Sequence, residues 1–214
     1  MMIGLLGGTF DPIHFGHLRM AEELADWLAL DKVRFIPAAQ PPHRSQPRTA
    51  VHHRVEMTRL AIEANPRFML DTCEVERKGV SYTVETLASL RQELGTAVHL
   101  WLFMGADAFI GLNTWKDWSR LFDLANIAVA HRPGYRVAQT DALGDELREA
   151  LQLHHVKDAA PNQAAGQIVL RPVTQLDISA TAIRTAIREG KSPRYLMPEP
   201  VLDYIHTHHL YLHA

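Results

Sequence analysis

The chain has 214 residues, of which 47% are hydrophobic and 21% charged, and its formal net charge is −2. These values are ordinary for a globular protein and disfavour a general nucleic-acid-binding protein, which usually has a strongly basic face. No apolar run approaches the ~20 residues that span a bilayer, and the single cysteine, Cys73, cannot form an internal disulfide. We therefore expect a cytoplasmic protein with neither a membrane nor a nucleic-acid partner.

Short apolar segments alternate with amphipathic ones from the first residues onward. The first half predicts strands at 2–6, 33–37 and 68–75, a helix from the histidines to Leu28, a Pro-rich binding loop at 38–50, and a helix from Val51 to near Asn65. The second half predicts a helix capped by Thr83 and ended by Gly95, strands at 98–104, 127–132 and 167–173, a helix over 115–124 capped by Thr114, and helices at 141–155, 178–190 and 198–206.

Strands that alternate with helices predict a doubly wound, Rossmann-like α/β fold, with a mostly parallel sheet covered by helices on both faces. No repeat or linker is evident, so we expect one domain over 1–214, with a second motif and C-terminal helices at 178–210. Ligands of such sheets bind beyond the carboxyl ends of the strands. The residues that stand after predicted strands are 7–17, 40–44, 105–107, 131–132 and 178–184.

The stretch 7–18, "GGTFDPIHFGHL", leaves the first strand and enters a helix. Glycines let the backbone approach a ligand closely, and the free N–H groups of a first helical turn attract anions. His14 and His17 stand at i and i+3, so both rings can reach neighbouring phosphate oxygens, as donors when neutral and as cations when protonated. The stretch therefore predicts a site for the phosphates of a nucleoside triphosphate.

Other interpretations of this stretch remain open. Its glycines do not fit the dinucleotide fingerprint of dehydrogenases, and it lacks the G-K-[ST] ending of the Walker loop. A zinc pair at His14 and His17 is conceivable, although no third ligand stands at a matching spacing. The plainest alternative is a capped helix with two surface histidines, but this stretch is more specific than a structural turn requires.

A second stretch, "ISATAIR" at 178–184, repeats this chemistry near the other end of the chain. Ser179 is placed to cap a helix whose first N–H groups form another anion site. Ile183 and Ile187 fall on the apolar face, which leaves Arg184 to point toward a ligand. An arginine donates in parallel to two phosphate oxygens and so suits a leaving pyrophosphate.

Together, "GTFDPIHFGH" and "ISATAIR" resemble the two signature motifs of the nucleotidyltransferase superfamily, G-x-F-D-P-x-H-x-G-H and I-S-x-T-x-I-R. The departure is small: Ala180 stands where serine is common. Six further stretches resemble the bacterial nicotinate-nucleotide adenylyltransferase family, over nearly the whole chain except 136–167. They are "QPPHR", "SYTVETL", "GADAF", "TWKDW", "HRPGY" and "LMPEPVLDYI".

The resemblance implies an enzyme that makes deamido-NAD and pyrophosphate from ATP and nicotinate mononucleotide, in NAD biosynthesis. It implies catalytic roles for His14, His17 and Arg184. The ATP-binding residues that it implies are Gly8, Thr9, Phe10, His14, Gly16, His17, Gly105, Asp107, Ile178, Ser179 and Arg184. The residues that it implies for nicotinate mononucleotide are Gln40, His43, Tyr82, Thr83, Trp115 and Arg132, with the Trp115 ring stacked on the nicotinate.

The expected reaction is in-line attack on ATP without a covalent intermediate. No paired acidic residues are evident as metal ligands, so we expect Mg²⁺ to arrive with ATP rather than on a protein site. The nearest rival substrate is nicotinamide mononucleotide, and pantetheine-phosphate or cytidylyl transfer is more distant. A non-catalytic nucleotide-sensing module is disfavoured because it is expected to have lost His14, His17 or Arg184. The sequence leaves a homo-oligomer open.

Overall fold

The computed structural model of the chain describes residues 1–41, 49–77, 79–134, 137, 142–160 and 163–212. The strands within these residues are β1 (Met2–Gly8), β2 (Lys32–Pro37), β3 (Phe68–Leu70), β4 (His99–Gly105), β5 (Asn126–His131) and β6 (Ile168–Pro172). The α-helices are α1 (Phe15–Trp27), α2 (Val51–Ile62), α3 (Cys73–Arg77), α4 (Thr83–Leu94), α5 (Ala106–Ile110), α6 (Leu121–Leu124), α7 (Asp145–His154), α8 (Ala180–Arg188) and α9 (Glu199–Thr207). Short 3₁₀ helices cover Leu112–Thr114 and Trp118–Arg120.

The strands form one parallel sheet in the order β3-β2-β1-β4-β5-β6. The strand order reverses at β1, because β2 follows β1 on one side and β4 pairs with it on the other. In doubly wound sheets this reversal marks the place where ligands bind, beyond the carboxyl end of the strand. The predicted α/β class with a parallel sheet is confirmed, and the loop that follows β1 is the one that carries the histidines.

The chain forms two compact units whose segments alternate along the sequence. The first unit contains Met1–Leu6, Met20–Val33 and Tyr82–Gln175. The second unit contains Gly7–Arg19, Arg34–Ser81 and Leu176–Ala214, and so holds both signature motifs. The assignment of 1–214 to a single functional domain stays a prediction.

Strands β4 and β5 form the buried centre of the first unit. Residues 100–104 and 126–130 are buried without exception. The two strands pair in parallel from Trp101 with Asn126 to Gly105 with Ala130. A strand buried on both faces needs a continuous apolar run rather than alternation, which is why "LWLFM" is so uniformly apolar.

The strand predicted at 68–75 is wrong beyond Leu70, because α3 begins at Cys73. Asp71 gives the reason. Its Oδ1 accepts the N–H of Cys73 at 3.0 Å, and its Oδ2 accepts from Arg34 at 3.0 Å. An aspartate that binds the backbone two residues on forms a turn and ends the strand, which the apolar pattern alone does not reveal.

Thr83 is not the cap of α4, contrary to the prediction. Tyr82 occupies that position, since its carbonyl accepts the N–H groups of Glu85 and Thr86 at 3.1 Å each, and no side chain caps the helix there. Thr83 is therefore the first helical residue. The predicted end of the helix is confirmed: Gly95 has φ +81° and donates its N–H to the Arg91 carbonyl at 3.0 Å.

The helix predicted over 115–124 is also wrong, because the region consists of short turns. Thr114 ends a 3₁₀ helix and donates its hydroxyl to the Gly111 carbonyl at 2.7 Å instead of capping a helix at Trp115. Trp115 is extended, and Asp117 has φ +48°, a left-handed conformation that no continuous α-helix accommodates. Only Leu121–Leu124 is α-helical. The helix predicted over 141–155 is shorter, at Asp145–His154, and α5 was not predicted.

Among the described residues, no helix has both the length and the apolar character that crossing a membrane requires.

Candidate active site

The loop that follows β1 is fixed by packing around Phe10. The Phe10 side chain is 2% exposed, although its φ of +49° is unusual for a residue other than glycine. A Cβ at Gly8 would lie 2.8 Å from the Phe10 ring, so only glycine leaves room for that ring. The carbonyl of Gly8 accepts the N–H of Ala38 at 2.9 Å. The loop thus has one defined path from β1 to the histidines.

His14 and His17 form a stacked pair at the start of α1. The His14 carbonyl accepts the N–H of His17 at 3.0 Å, and the ring centroids lie 3.8 Å apart at an interplanar angle of 28°. The His14 N–H donates to Nδ1 of His17 at 3.3 Å. An accepting Nδ1 carries no proton, so the proton of a neutral His17 is on Nε2, which can donate to a ligand. The edge of the Phe10 ring supports His17, with centroids 5.2 Å apart.

His14 is a buried, neutral imidazole. Its side chain is 6% exposed, and burial lowers its pKa from 6.5 to about 4. Its Nδ1 atom is buried and has no hydrogen-bond partner among the described residues. A buried polar atom without a protein partner is costly, and it is suited to bind a ligand or an ordered water molecule. His14 is thus prepared to hydrogen-bond a ligand without carrying a charge of its own.

Gly16 brings the second motif toward the histidine pair. A Cβ at this position would lie 3.0 Å from Nδ1 of His14 and 3.8 Å from the carbonyl oxygen of Ile178. Any side chain here would therefore press on the unpartnered atom. Ser179 caps α8 as predicted, because its Oγ accepts the N–H of Ala182 at 3.1 Å.

Arg184 contacts the first motif directly. Its guanidinium donates to the carbonyl of Asp11 at 2.7 Å and to Oγ1 of Thr181 at 3.2 Å. Ile183 and Ile187 are buried as predicted, at 0% and 7% exposure, which directs Arg184 to the other side of α8. The two motifs therefore contact each other within the second unit. The prediction of a shared phosphate site requires such a contact.

A cavity of about 390 Å³ lies beside Arg184. Arg188, one turn further along α8, lines it together with His53 and His209. The two guanidinium groups favour an anionic occupant with several oxygens, since each can donate more than one hydrogen bond.

Arg54 is a buried residue behind the histidine loop that the sequence pattern did not reveal. It is 1% exposed, and its guanidinium donates to the carbonyls of Thr9 at 2.8 Å, Ala38 at 2.7 Å and Ala39 at 3.1 Å. Burial lowers the pKa of Arg54, while the nearby Asp11 carboxylate opposes that shift. Arg54 therefore joins the histidine loop to the segment that follows β2. The only sequence signal was an arginine on the apolar side of a helix.

Among the described residues expected at nicotinate mononucleotide, Gln40 belongs to the second unit. Gln40 is exposed, and its carbonyl accepts the N–H of Ser81 at 2.9 Å. His43 lies outside the described residues, as does most of the predicted loop at 38–50.

The remaining predicted residues belong to the first unit: Tyr82, Thr83, Gly105, Asp107, Trp115 and Arg132. Gly105 ends β4 and Asp107 is in the first turn of α5, while Arg132 follows β5. Asp107 and Arg132 are exposed, whereas Tyr82, Thr83 and Trp115 are half-buried. Lys116, which the sequence did not single out, places its Nζ 4.4 Å from the centre of the Tyr82 ring and binds Glu85 at 2.7 Å. Tyr82 and the 115–116 segment therefore lie together.

Within the described part of the chain, no group of three or more His, Cys, Asp or Glu side chains is arranged to hold a metal ion. The cluster that a zinc site at His14 and His17 requires is thus not found among those residues.

The chain matches the cytidylyltransferase-like family over residues 5–186. It is 52% identical over 211 residues to a protein of Dechloromonas aromatica (strain RCB) named probable nicotinate-nucleotide adenylyltransferase. This alignment covers 98% of this chain and 97% of that relative. A relative of the same name from Hydrogenovibrio crunogenus is 49% identical over 210 residues, with 98% and 97% covered.

Two solved structures of Plasmodium falciparum nicotinic acid mononucleotide adenylyltransferase have a similar fold. The one complexed with NaAD has a TM-score of 0.73 at 17% identity, covering 98% of this chain and 97% of that one. The one complexed with APC has a TM-score of 0.71 at 16% identity, covering 98% and 96%. At such low identity the likeness concerns the fold alone.

Proposed function

The chain belongs to the cytidylyltransferase-like family and, within it, to the nicotinate-nucleotide adenylyltransferases, and from this premise we propose that it transfers AMP from ATP to nicotinate mononucleotide. The products are deamido-NAD and pyrophosphate, and the enzyme acts in the cytoplasm as a step of NAD biosynthesis.

The histidine pair is the observation that carries this proposal. His14 offers a buried Nδ1 with no partner, and His17 offers an Nε2 proton whose position is set by the bond from the His14 N–H. Two imidazole rings at a glycine-lined turn suit phosphate oxygens whose charge changes during the reaction. Donors fixed in advance need no reorganisation as that charge develops, which is the largest single source of catalysis in many enzymes.

Arg184 and the cavity beside it support the proposal that the leaving group, pyrophosphate, binds there. Arg184 is held by the Asp11 carbonyl, and the cavity that it lines with Arg188 has both guanidinium groups in its wall. In this proposal Arg184 contacts the phosphate oxygens that become pyrophosphate. Its planar guanidinium stabilises the charge that the leaving group gains.

The reaction needs no general base in this proposal. An oxygen of the mononucleotide 5′-phosphate forms a bond to the α-phosphorus of ATP, while the bond from that phosphorus to the bridging oxygen breaks. Pyrophosphate leaves with the electron pair. Because a phosphate monoester has a second pKa near ~6, the nucleophile is already ionised at neutral pH. The enzyme therefore works by alignment and by stabilising charge, without a covalent intermediate.

We propose that nicotinate mononucleotide binds through the residues that the family resemblance implies. Trp115 stacks on the nicotinate ring, and Tyr82 and Thr83 donate to its carboxylate, with Arg132 along the same wall. In this proposal His43 binds the nucleotide phosphate, and Gln40 contacts the same substrate. Gly8, Thr9, Phe10, Gly16, Ile178 and Ser179, together with Gly105 and Asp107, contact ATP.

Magnesium fits this site as a companion of ATP. The Asp11 carboxylate is already bound by the Tyr211 hydroxyl, and imidazoles are poor ligands for this ion. The residues present thus suit a Mg²⁺ ion held by phosphate oxygens and water, the usual arrangement for this cation with nucleotides. When bound, the ion neutralises phosphate charge. The protein contributes only the donors around it.

A coupled assay of pyrophosphate release tests the proposal. The purified protein is given ATP and Mg²⁺ with either nicotinate or nicotinamide mononucleotide. We expect turnover with the acid and a strong preference for it over the amide. Equal or greater turnover with the amide would replace the proposed substrate, and no turnover with either would refute adenylyl transfer to a pyridine mononucleotide.

A further inference from the structure

The C-terminal segment is bound to the first motif by a tyrosine. The Tyr211 hydroxyl donates to Oδ1 of Asp11 at 2.7 Å and lies 4.0 Å from the sulfur of Met57. Asp11 is 7% exposed, so this bond is shielded from water. Burial and then the Asp11 charge raise the pKa of Tyr211, which keeps the hydroxyl protonated and able to donate.

Asp11 connects this tyrosine to the groups that we assign to ATP. Its carboxylate accepts from Tyr211, and its own carbonyl accepts from Arg184 at 2.7 Å. Three residues later in the same loop comes His14. The buried guanidinium of Arg54 also interacts with the Asp11 charge and binds the Thr9 carbonyl two residues earlier. Asp11 thus joins segments from both ends of the chain.

The segment before Tyr211 is held in a defined conformation. His209 and Tyr211 have φ of +51° and +68°, values that are uncommon for residues other than glycine. The Leu210 N–H donates to the Ile205 carbonyl at 3.0 Å, which continues the chain from α9 into this turn. The turn after α9 therefore places the Tyr211 side chain next to Asp11.

We propose that Tyr211 is a positioning residue for ATP. Its hydroxyl fixes the Asp11 carboxylate, and thereby the loop that carries His14 and His17 and the carbonyl that orients Arg184. This inference rests on the proposed function, since it assumes that ATP phosphates bind these three side chains. It assigns a role to a residue outside both signature motifs.

A positioning role and a purely structural role predict different kinetics. A variant that only loses stability has a smaller active fraction, so kcat falls while both KM values stay unchanged. A variant whose phosphate-binding loop is less well positioned binds ATP less tightly, so the KM for ATP rises. The KM for nicotinate mononucleotide then serves as an internal reference.

The test compares Tyr211→Phe with Tyr195→Phe. Tyr195 is a matched control, because it has the same φ of +68° but is 83% exposed. Removing a hydrogen bond to a charged group should raise the KM for ATP about tenfold in Tyr211→Phe. The KM for nicotinate mononucleotide should change by less than about twofold, and Tyr195→Phe should match the wild type. Unchanged KM values for both substrates in Tyr211→Phe would overturn the proposal.

Asp11→Asn provides a second variant on the other side of the same bond. If Tyr211 acts through Asp11, the two substitutions are not additive, and Tyr211→Phe has little further effect on the KM for ATP in the Asp11→Asn background. Full additivity contradicts the proposal. Asp11→Asn also tests it alone if Tyr211→Phe does not fold, since its KM for ATP should rise as well.

Direct titration with ATP separates this inference from the proposed function. If the wild type forms no deamido-NAD, the proposed function fails, and the ATP dissociation constants of the wild type and Tyr211→Phe decide the role of Tyr211. An about tenfold weaker ATP affinity supports it, and equal affinity refutes it. Failure of the wild type to bind ATP refutes both.

Discussion

The residues assigned to the ATP phosphates and those assigned to nicotinate mononucleotide differ in how firmly the fold holds them. His14 is 6% exposed and Arg184 is bound to a backbone carbonyl, with a 1% exposed Arg54 behind the loop. By contrast, Arg132 and Gln40 are exposed, and the other described residues assigned to the mononucleotide are half-buried. The phosphate residues are thus fixed before any ligand binds, whereas the mononucleotide residues are held less firmly.

This difference follows from what each ligand demands. Phosphate charge is stabilised best by donors that do not have to reorganise, and burial strengthens each of those interactions. A heterocycle needs mainly a surface to stack on, which a surface turn can supply. The comparison predicts that substitution of the buried Arg54, which binds the phosphate loop, lowers the free energy of unfolding strongly. Substitutions around Tyr82 should lower it little.

The largest expected effect on stability is that of Arg54→Met. This change removes the buried guanidinium and leaves the carbonyls of Thr9, Ala38 and Ala39 without their donor. We expect a loss of about 3–5 kcal/mol in the free energy of unfolding, measured by urea denaturation. Arg59→Met is the matched control on the same helix, because Arg59 is exposed and pairs only with surface glutamates. If both variants lost the same free energy of unfolding, the buried Arg54 guanidinium would not stabilise the phosphate loop.

Arg54 also shows where prediction from sequence ends. The alternation of strands and helices, the Ser179 cap and the Gly95 helix end were all predicted, because each depends on neighbours within a few residues. The Arg54 contacts depend on carbonyls 15, 16 and 45 residues away. A local sequence pattern does not reveal which distant groups a side chain will bind in the fold. Arg54 and Tyr211 were therefore both missed.

A smaller effect is expected from the burial of His14. Its folded pKa of about 4 lies below its ordinary value of 6.5, so the unfolded chain binds a proton more readily between these values. Stability is therefore fully present above pH 6.5 and is lost as the pH falls toward 4. Between about pH 7 and about pH 5 this single group should cost about 2 kcal/mol in the free energy of unfolding.

His14→Asn removes that titration and should reduce the acid sensitivity by the same amount. The measurement is urea denaturation at the two pH values for the wild type and the variant. His206→Asn, on an exposed site of α9, is the control and should leave the sensitivity unchanged. An acid sensitivity of His14→Asn equal to that of the wild type would mean that His14 is not buried in its neutral form.

The smallest effect is expected at Lys116, beside the proposed nicotinate site. Lys116 binds Glu85 at 2.7 Å, but both side chains are more than 40% exposed, and pairs of this kind contribute little. Lys116→Met should therefore leave the midpoint of urea unfolding unchanged within error. A clear drop would show that the turns around Tyr82 are as firmly held as the phosphate loop, and the comparison would no longer hold.

The turns around Trp115 show why the local structure beside the proposed nicotinate site was predicted less well than the fold. Trp115, Trp118 and Leu121 have a helical spacing, yet Asp117 adopts a left-handed conformation and interrupts the helix. The residue types of "TWKDW" were informative about the family, whereas their spacing was misleading about local structure. The backbone around the two motifs was easier to predict, since glycine and a cap position constrain the backbone directly.

The histidine pair is the central claim, and the turnover of His17→Ala tests it most directly. With saturating ATP and nicotinate mononucleotide, release of pyrophosphate gives kcat for the variant and the wild type. Loss of one positioned donor to the reacting phosphate should lower kcat by about 10²–10³. A kcat within about threefold of the wild type would contradict the assignment of the stacked imidazoles to the phosphates of ATP.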